Sequence, residues 1–235
     1  MIALTSHMRP TERGAILELR GGGALGLGEA APLQGFTVET AREVQQQLRS
    51  LDLPDLPESA AGIAEWVAAS TMAPTAAHAV EQAMVDLLAQ RLGAPVPSLW
   101  CEAPRGDVPT HLLVADVEAA RAAVASGVTA LKVKVGRALP EQDLALLSLV
   151  RDAIGPDIAL RIDANGRWPY GVALAFLQAA STLDIACVEE PVEGRDLVVL
   201  ARLRRAQPIP VAADESVRSP EDLARLIALD AADIL

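Results

Sequence analysis

Four short segments carry residue types able to do chemistry. They are Leu131-Lys132-Val133-Lys134-Val135-Gly136, Arg161-Ile162-Asp163-Ala164-Asn165-Gly166, Val188-Glu189-Glu190-Pro191 and Ala213-Asp214-Glu215-Ser216. Each closes an apolar run that reads as a buried strand. Asp163 to Glu189 is 26 residues and Glu189 to Asp214 is 25. Equal steps of one strand-helix unit set three carboxylates on neighbouring strands at the same height. Three ionised carboxylates held together need a compensating cation. A hard divalent ion fits: Mg²⁺ takes oxygen ligands and keeps positions for water or substrate. Mn²⁺ is the alternative ion.

The chain has two lysines, Lys132 and Lys134, among 20 Lys and Arg residues. Arginine stays protonated across the useful pH range, whereas lysine can lose its proton. A lysine beside a metal and a buried wall has its pKa pulled down and can serve as a general base near neutrality. One of the pair is expected to point into the site, with the other across the strand or at its lip. A lone Lys-x-Lys is ordinarily a solvated edge, and an Asp at a strand end is commonly a helix cap. Four such segments in order on successive strands read as one site.

The elements that must position them begin near Val108. Strands are predicted at 110–114, 130–135, 159–163, 185–189, 211–214 and 233–235. Helices fall between them at 117–126, 141–154, 171–181, 196–205 and 220–229. The strands read as apolar and non-alternating, hence buried on both faces. Strand-helix alternation implies a parallel sheet with right-handed crossovers. The repeat approaches the roughly 31 residues per unit of an eight-unit barrel. A doubly wound sheet is the rival, weakened because no G-x-G-x-x-G follows a strand.

The first 99 residues are an α+β unit. Ala15–Arg20 alternates like a strand, Gly21-Gly22-Gly23 reads as its hairpin turn, and Leu25–Glu29 returns. Pro32–Phe36 is a loop. A helix is expected over 37–51, capped by Thr37, with Val38, Ala41, Val44 and Leu48 on its apolar face. A second helix over 76–92 ends at Gly93.

Composition narrows the class. Of 235 residues, 51% are apolar, and the net charge is -11. That charge argues against a nucleic-acid partner, which needs clustered positive charge. No charge-free run of 18 apolar residues exists, so no membrane partner is expected. The first residues lack an apolar signal core, and Cys101 and Cys187 have no CxxC spacing, so a cytoplasmic protein with reduced thiols is expected. His7, His78 and His111 are scattered and read as surface or packing residues. Trp168, Tyr170 and Phe176 read as core.

The segments KVKVG, RIDANG, VEEP and ADES on successive strands resemble the enolase superfamily, muconate-lactonizing subgroup. Gly28–Thr37 (GEAAPLQGFT) is similar to the o-succinylbenzoate synthase family. The resemblance implies an enolase-like α/β fold: an N-terminal α+β capping domain (1–99) and a (β/α) barrel (100–235) truncated at about its sixth strand. It implies Asp163, Glu189 and Asp214 as Mg²⁺ ligands, Lys134 as acid/base and Lys132 as its electrostatic partner. Asn165 and Glu215 would support the ligands, and Gly35 and Phe36 would belong to a loop closing over substrate. The partner would be a small-molecule carboxylate. The implied reaction is proton abstraction alpha to that carboxylate, giving an enediolate. In the synthase family this leads to syn dehydration of 2-succinyl-6-hydroxy-2,4-cyclohexadiene-1-carboxylate.

N-succinylamino acid racemases, dipeptide epimerases and muconate cycloisomerases carry similar segments and are the alternatives, with an inactive fragment as a third. By the family's spacing another lysine falls just after Leu235, and the N-terminus looks shortened before the strand at Ala15. The chain is therefore expected to be a piece of a longer reading frame, unstable or oligomerising, and poorly active alone.

Overall fold

The computed structural model describes residues 2–193 and 196–235. The chain divides into two compact units, Met1–Asp107 and Val108–Leu235.

In the first unit, β1 (Thr5–Pro10), β2 (Ala15–Gly21) and β3 (Ala24–Ala30) form an antiparallel sheet in that order. The segment expected to be shortened thus holds a six-residue strand, paired from Thr5↔Arg20 to Pro10↔Ala15. It is almost wholly exposed, so it shows no apolar alternation to read. The β2–β3 hairpin turns on Gly22 (φ 59°) and Gly23 (φ 85°), the left-handed pair that a tight two-residue turn demands.

Three helices follow: α1 (Ala41–Arg49), α2 (Ala60–Ala68) and α3 (Pro74–Leu92). α1 starts later than expected. Thr40, not Thr37, is its cap: Glu43 N donates to Thr40 Oγ1 at 3.3 Å and Thr40 N donates to the Glu43 carboxylate at 2.8 Å. This reciprocal pair satisfies two orphan donors. Val38 falls outside the helix and is 95% exposed, while Val44 and Leu48 are buried as expected. α2 was not anticipated; it buries only Ala60 and Ile63, too few for a periodic signal. α3 ends at Gly93 in the left-handed region, φ 62°.

The core of this unit joins Leu17 and Leu19 of β2 to Val80, Met84 and Leu87 of α3. α3 also covers the free edge of β3. Its residues Gln82, Asp86 and Gln90, four apart on one face, bond Glu29 N (2.8 Å), Leu27 N (2.9 Å) and Leu25 O (2.7 Å). An unpaired strand edge is thereby satisfied within the unit.

The first turn of α3 depends on Glu39, whose Oε1 accepts from Thr75 N at 3.0 Å and Thr75 Oγ1 at 2.8 Å. Burial pushes the Glu39 carboxyl up, but the bonds from Thr75 and nearby backbone outweigh it, leaving it below its ordinary 4.5. A depressed folded pKa gives stability that is present above the unfolded value and lost as pH falls through the folded one. Glu39→Gln is therefore expected to lower the thermal midpoint at pH 7 and to lose that difference below pH 4.5. Melting curves at both pH values check it.

In the second unit, β4 (Leu112–Val114), β5 (Ala130–Lys134), β6 (Ala159–Asp163), β7 (Ile185–Glu189) and β8 (Val211–Ala212) form a parallel sheet in sequential order. The helices α4 (Val117–Ala125), α5 (Pro140–Ile154), α6 (Tyr170–Ala180), α7 (Leu197–Ala206) and α8 (Pro220–Ala228) alternate with them. Sequential order without a reversal is that of a barrel wall, not of a doubly wound sheet.

Two expectations are corrected here. Residues 233–235 form no ladder; Ile234 makes an isolated bridge to Ala212, because β8 itself offers only two residues. β5 and β6 also alternate rather than being apolar throughout. Leu131, Val133, Leu160 and Ile162 are fully buried in the core, while Lys132, Lys134 and Arg161 are only half-buried. The second face of the sheet is polar, and it carries the candidate site. Trp168 and Phe176 belong to the core, with ring centroids 4.4 Å apart. Tyr170 packs against that core beneath the Arg202 guanidinium, 4.3 Å from its ring.

Candidate active site

Register places the charged residues in rows. Lys134 lies opposite Asp163, and Asp163 opposite Glu189. One row beneath, Lys132 lies opposite Arg161 and Arg161 opposite Cys187. A register slip in β7 after Ile185 brings Cys187, not Ala186, beside Arg161. It thereby sets Glu189 level with Asp163. The two lysines do not point to opposite sides. They stand two apart on β5, and residues at that spacing share a face.

Both lysines turn to the carboxylates. Lys132 Nζ lies 2.7 Å from Glu189 Oε1 and 3.0 Å from Asp163 Oδ2. Lys134 Nζ lies 3.3 Å from Asp163 Oδ2 and donates to Asn165 Oδ1 at 2.6 Å. Asp163 is 1% exposed, and its Oδ1 accepts from Asn165 N at 2.9 Å. Asn165 has φ 47° and passes the chain of bonds on, donating through Nδ2 to Glu215 Oε1 at 3.1 Å. Lysines, carboxylates and the Asn165 amide thus form one bonded network.

Burial alone would pull the Lys132 ammonium down. The hydrogen bonds and charges of Glu189 and Asp163 outweigh it, so Lys132 sits above lysine's ordinary range. Asp214 is raised above the aspartate range, by burial first and then by the charges of Glu215, Glu189 and Asp163.

Asp214 is not at the same height as the other two carboxylates. Glu189 pairs with Ala212, so Asp214 lies two residues beyond, in the turn after β8. Among the described residues no three His, Cys, Asp or Glu side chains converge as ready ion ligands in these positions. Lys132 bridges Asp163 and Glu189 instead.

The donor set nevertheless suits a hard cation. It consists of carboxylate oxygens, burial and then the charges of its neighbours hold Asp214 up, and among the described residues the buried Glu215 Oε2 has no hydrogen-bond partner. A divalent ion is the charge that would offset this crowding of carboxylates.

Gly35 and Phe36 belong to the other unit. They lie in a tight turn in which Phe36 N and Thr37 N both donate to Leu33 O at 2.9 Å. Gly35 has φ 88° and the Phe36 ring is exposed. Gly35 lines a groove of about 640 Å³ together with Arg13, Gln34 and Glu39. Cys101 and Cys187 are free thiols, the first exposed and the second buried.

Sequence reading missed Glu190 and Ser216. Glu190 is buried at φ 37°, and its carboxylate accepts from the backbone of Asp214 and Ser216. The only cue was its adjacency to Glu189.

A sequential parallel wall with paired lysines on one strand and acids at the ends of the next strands defines a barrel-type α/β protein. A family profile described as Enolase C-terminal domain-like matches residues 115–235, and the chain belongs to that family, within the enolase superfamily. It is 38% identical over 152 residues to o-succinylbenzoate synthase of Thermobifida fusca (strain YX), covering 63% of this chain and 45% of that protein. It is 32% identical over 167 residues to N-succinyl-L-Arg/Lys racemase of Bacillus cereus (strain ATCC 14579), covering 68% and 45%. The structure of dipeptide epimerase from Enterococcus faecalis V583, complexed with Mg and the dipeptide L-Leu-L-Tyr, superposes with TM-score 0.82 at 26% identity, covering 99% of this chain and 72% of that one. The chain spans about half the length of the curated relatives it matches. No helix among the described residues is long and apolar enough to cross a membrane.

Proposed function

We propose that Lys134 abstracts a proton alpha to the carboxylate of a small-molecule substrate, assisted by Mg²⁺ on Asp163, Glu189 and Asp214. The single observation carrying this reading is the unequal pairing of the lysines. Lys132 is clamped by two carboxylates at 2.7 and 3.0 Å. Lys134 has one looser carboxylate at 3.3 Å and a neutral amide partner. Lys132 is therefore the fixed positive charge and Lys134 the group free to exchange a proton. When bound, Mg²⁺ supplies Lewis-acid stabilisation of the charge that develops on the substrate carboxylate.

The particular reaction we propose is syn dehydration of 2-succinyl-6-hydroxy-2,4-cyclohexadiene-1-carboxylate to o-succinylbenzoate, a step of menaquinone biosynthesis. Lys134 takes the proton and returns it to the departing hydroxyl, so one base on one face suffices. The similarity to the T. fusca synthase supports this choice. Asn165 holds the Lys134 ammonium and links it to Glu215. A cytoplasmic location fits the two free thiols.

The second reading is racemisation of N-succinylamino acids, supported by the similarity to the B. cereus racemase. Racemisation needs a second base on the opposite face, so Lys134 alone would exchange one enantiomer only. Incubating the chain with Mg²⁺ and each substrate in ²H₂O, with products read by NMR, separates the readings. Aromatic product from the cyclohexadiene carboxylate is expected. Deuterium exchange into an N-succinylamino acid without aromatic product would favour the second reading, and absence of both reactions would favour the third alternative, an inactive fragment.

A further inference from the structure

We infer that Glu190 is a positioning residue that sets Asp214 for cation binding; the inference rests on the metal reading proposed above. Glu190 is 1% exposed, and among the described residues its carboxylate bonds to no lysine or arginine. It accepts from Asp214 N at 2.9 Å, Ser216 N at 3.2 Å and the Ser216 hydroxyl. Its own N–H donates to Ala212 O at 2.9 Å, and its carbonyl accepts from Gly166 N at 2.6 Å. One residue thus ties the end of β7 to the turn after β6 and to the turn after β8.

Such a tie is needed where it stands. β8 contributes two residues of ladder, and Asp214 lies two residues past its end. Past the ladder, Ala213 N donates to Ile234 O at 3.0 Å and Val217 N donates to Asp214 O at 2.9 Å, and the Glu190 carboxylate is the side chain that holds the Asp214 N–H. Glu190 also adopts φ 37°, a left-handed conformation unfavourable for a glutamate, which persists where surrounding bonds over-determine it. That conformation lets Glu189 and Glu190, consecutive in sequence, do different work. Glu189 turns to Lys132, while Glu190 turns to the 214–216 backbone.

The test separates positioning from plain structural support. Mn²⁺ is the probe, with free ion read by electron paramagnetic resonance and the metal-free thermal midpoint recorded in parallel. Glu190→Gly removes the carboxylate while relieving the left-handed backbone. Its Mn²⁺ dissociation constant is expected to rise about 10–100-fold, the usual effect of losing a group that orients a metal ligand. Glu190→Gln, which keeps one acceptor oxygen, is expected to fall between it and wild type. A merely structural role would lower the midpoint and leave the affinity of the folded chain unchanged, and that result would overturn the inference. If Glu190→Gly does not fold, unchanged affinity in both Glu190→Gln and Ser216→Ala overturns it equally. Wild-type chain that binds no Mn²⁺ would instead sink the metal reading, and this inference with it.

Discussion

Lys134→Arg is expected to cut turnover of the carboxylate substrate by about 10²–10⁴-fold, the usual worth of a positioned general base. The thermal midpoint is expected to stay near that of wild type. Arginine keeps the positive charge that faces Asp163 at 3.3 Å and can still donate to Asn165. What it cannot do is release a proton in the working pH range. The substitution therefore removes proton transfer while preserving the electrostatics of the network. Steady-state rates beside a melting curve check it. Retained turnover in a folded variant would refute Lys134 as the base.

The second large effect lies in the first unit, at Gly28. A Cβ built there would sit 1.9 Å from Ala79 O, and one on Gly26 would sit 2.0 Å from Ala83 O. Both obstacles are backbone, so neither can swing aside. Glycines two apart on β3 meet turns four apart on α3, which is how the helix comes close enough for Gln82 and Asp86 to reach the strand edge. Gly28→Ala must push β3 off α3. It is expected to cost at or beyond the upper end of the ~1–3 kcal/mol seen for overpacking. In a unit of this size that lowers its thermal midpoint by roughly 10 °C or more. Gly23→Ala provides the contrast, since nothing lies within 4 Å of a Cβ there; its cost is limited to the strain of φ 85° in the hairpin. Denaturation curves of both variants check the ordering, and equal losses would contradict the close-packing account.

Much of this was legible in the residues, for physical reasons that differ by element. β6 and β7 were located to the residue, because each is a short, mainly apolar segment ending in an acid. Charged groups at the ends of buried strands stand out against an apolar background. The common height of Asp163 and Glu189 followed from the repeat length, and their register agrees. The height of Asp214 did not follow. Equal sequence steps conceal the slip in β7 and the short β8, both set by packing. β1 and α2 escaped because they bury too little to impose a period. Gly26 and Gly28 read only as part of the returning hairpin strand, and the approach of α3 reveals their second purpose. Glu190 escaped because its partners are backbone groups 24 and 26 residues away, which leave no pattern in side-chain spacing.

The account turns on whether Asp163, Glu189 and Asp214 hold a divalent cation. Isothermal calorimetry of Mg²⁺ binding to the wild-type chain and to Asp163→Asn tests this most directly. The account predicts one Mg²⁺ per wild-type chain, a thermal midpoint that rises with Mg²⁺ concentration, and loss of both in Asp163→Asn. Absence of binding by wild type, or binding that survives Asp163→Asn unchanged, would contradict it.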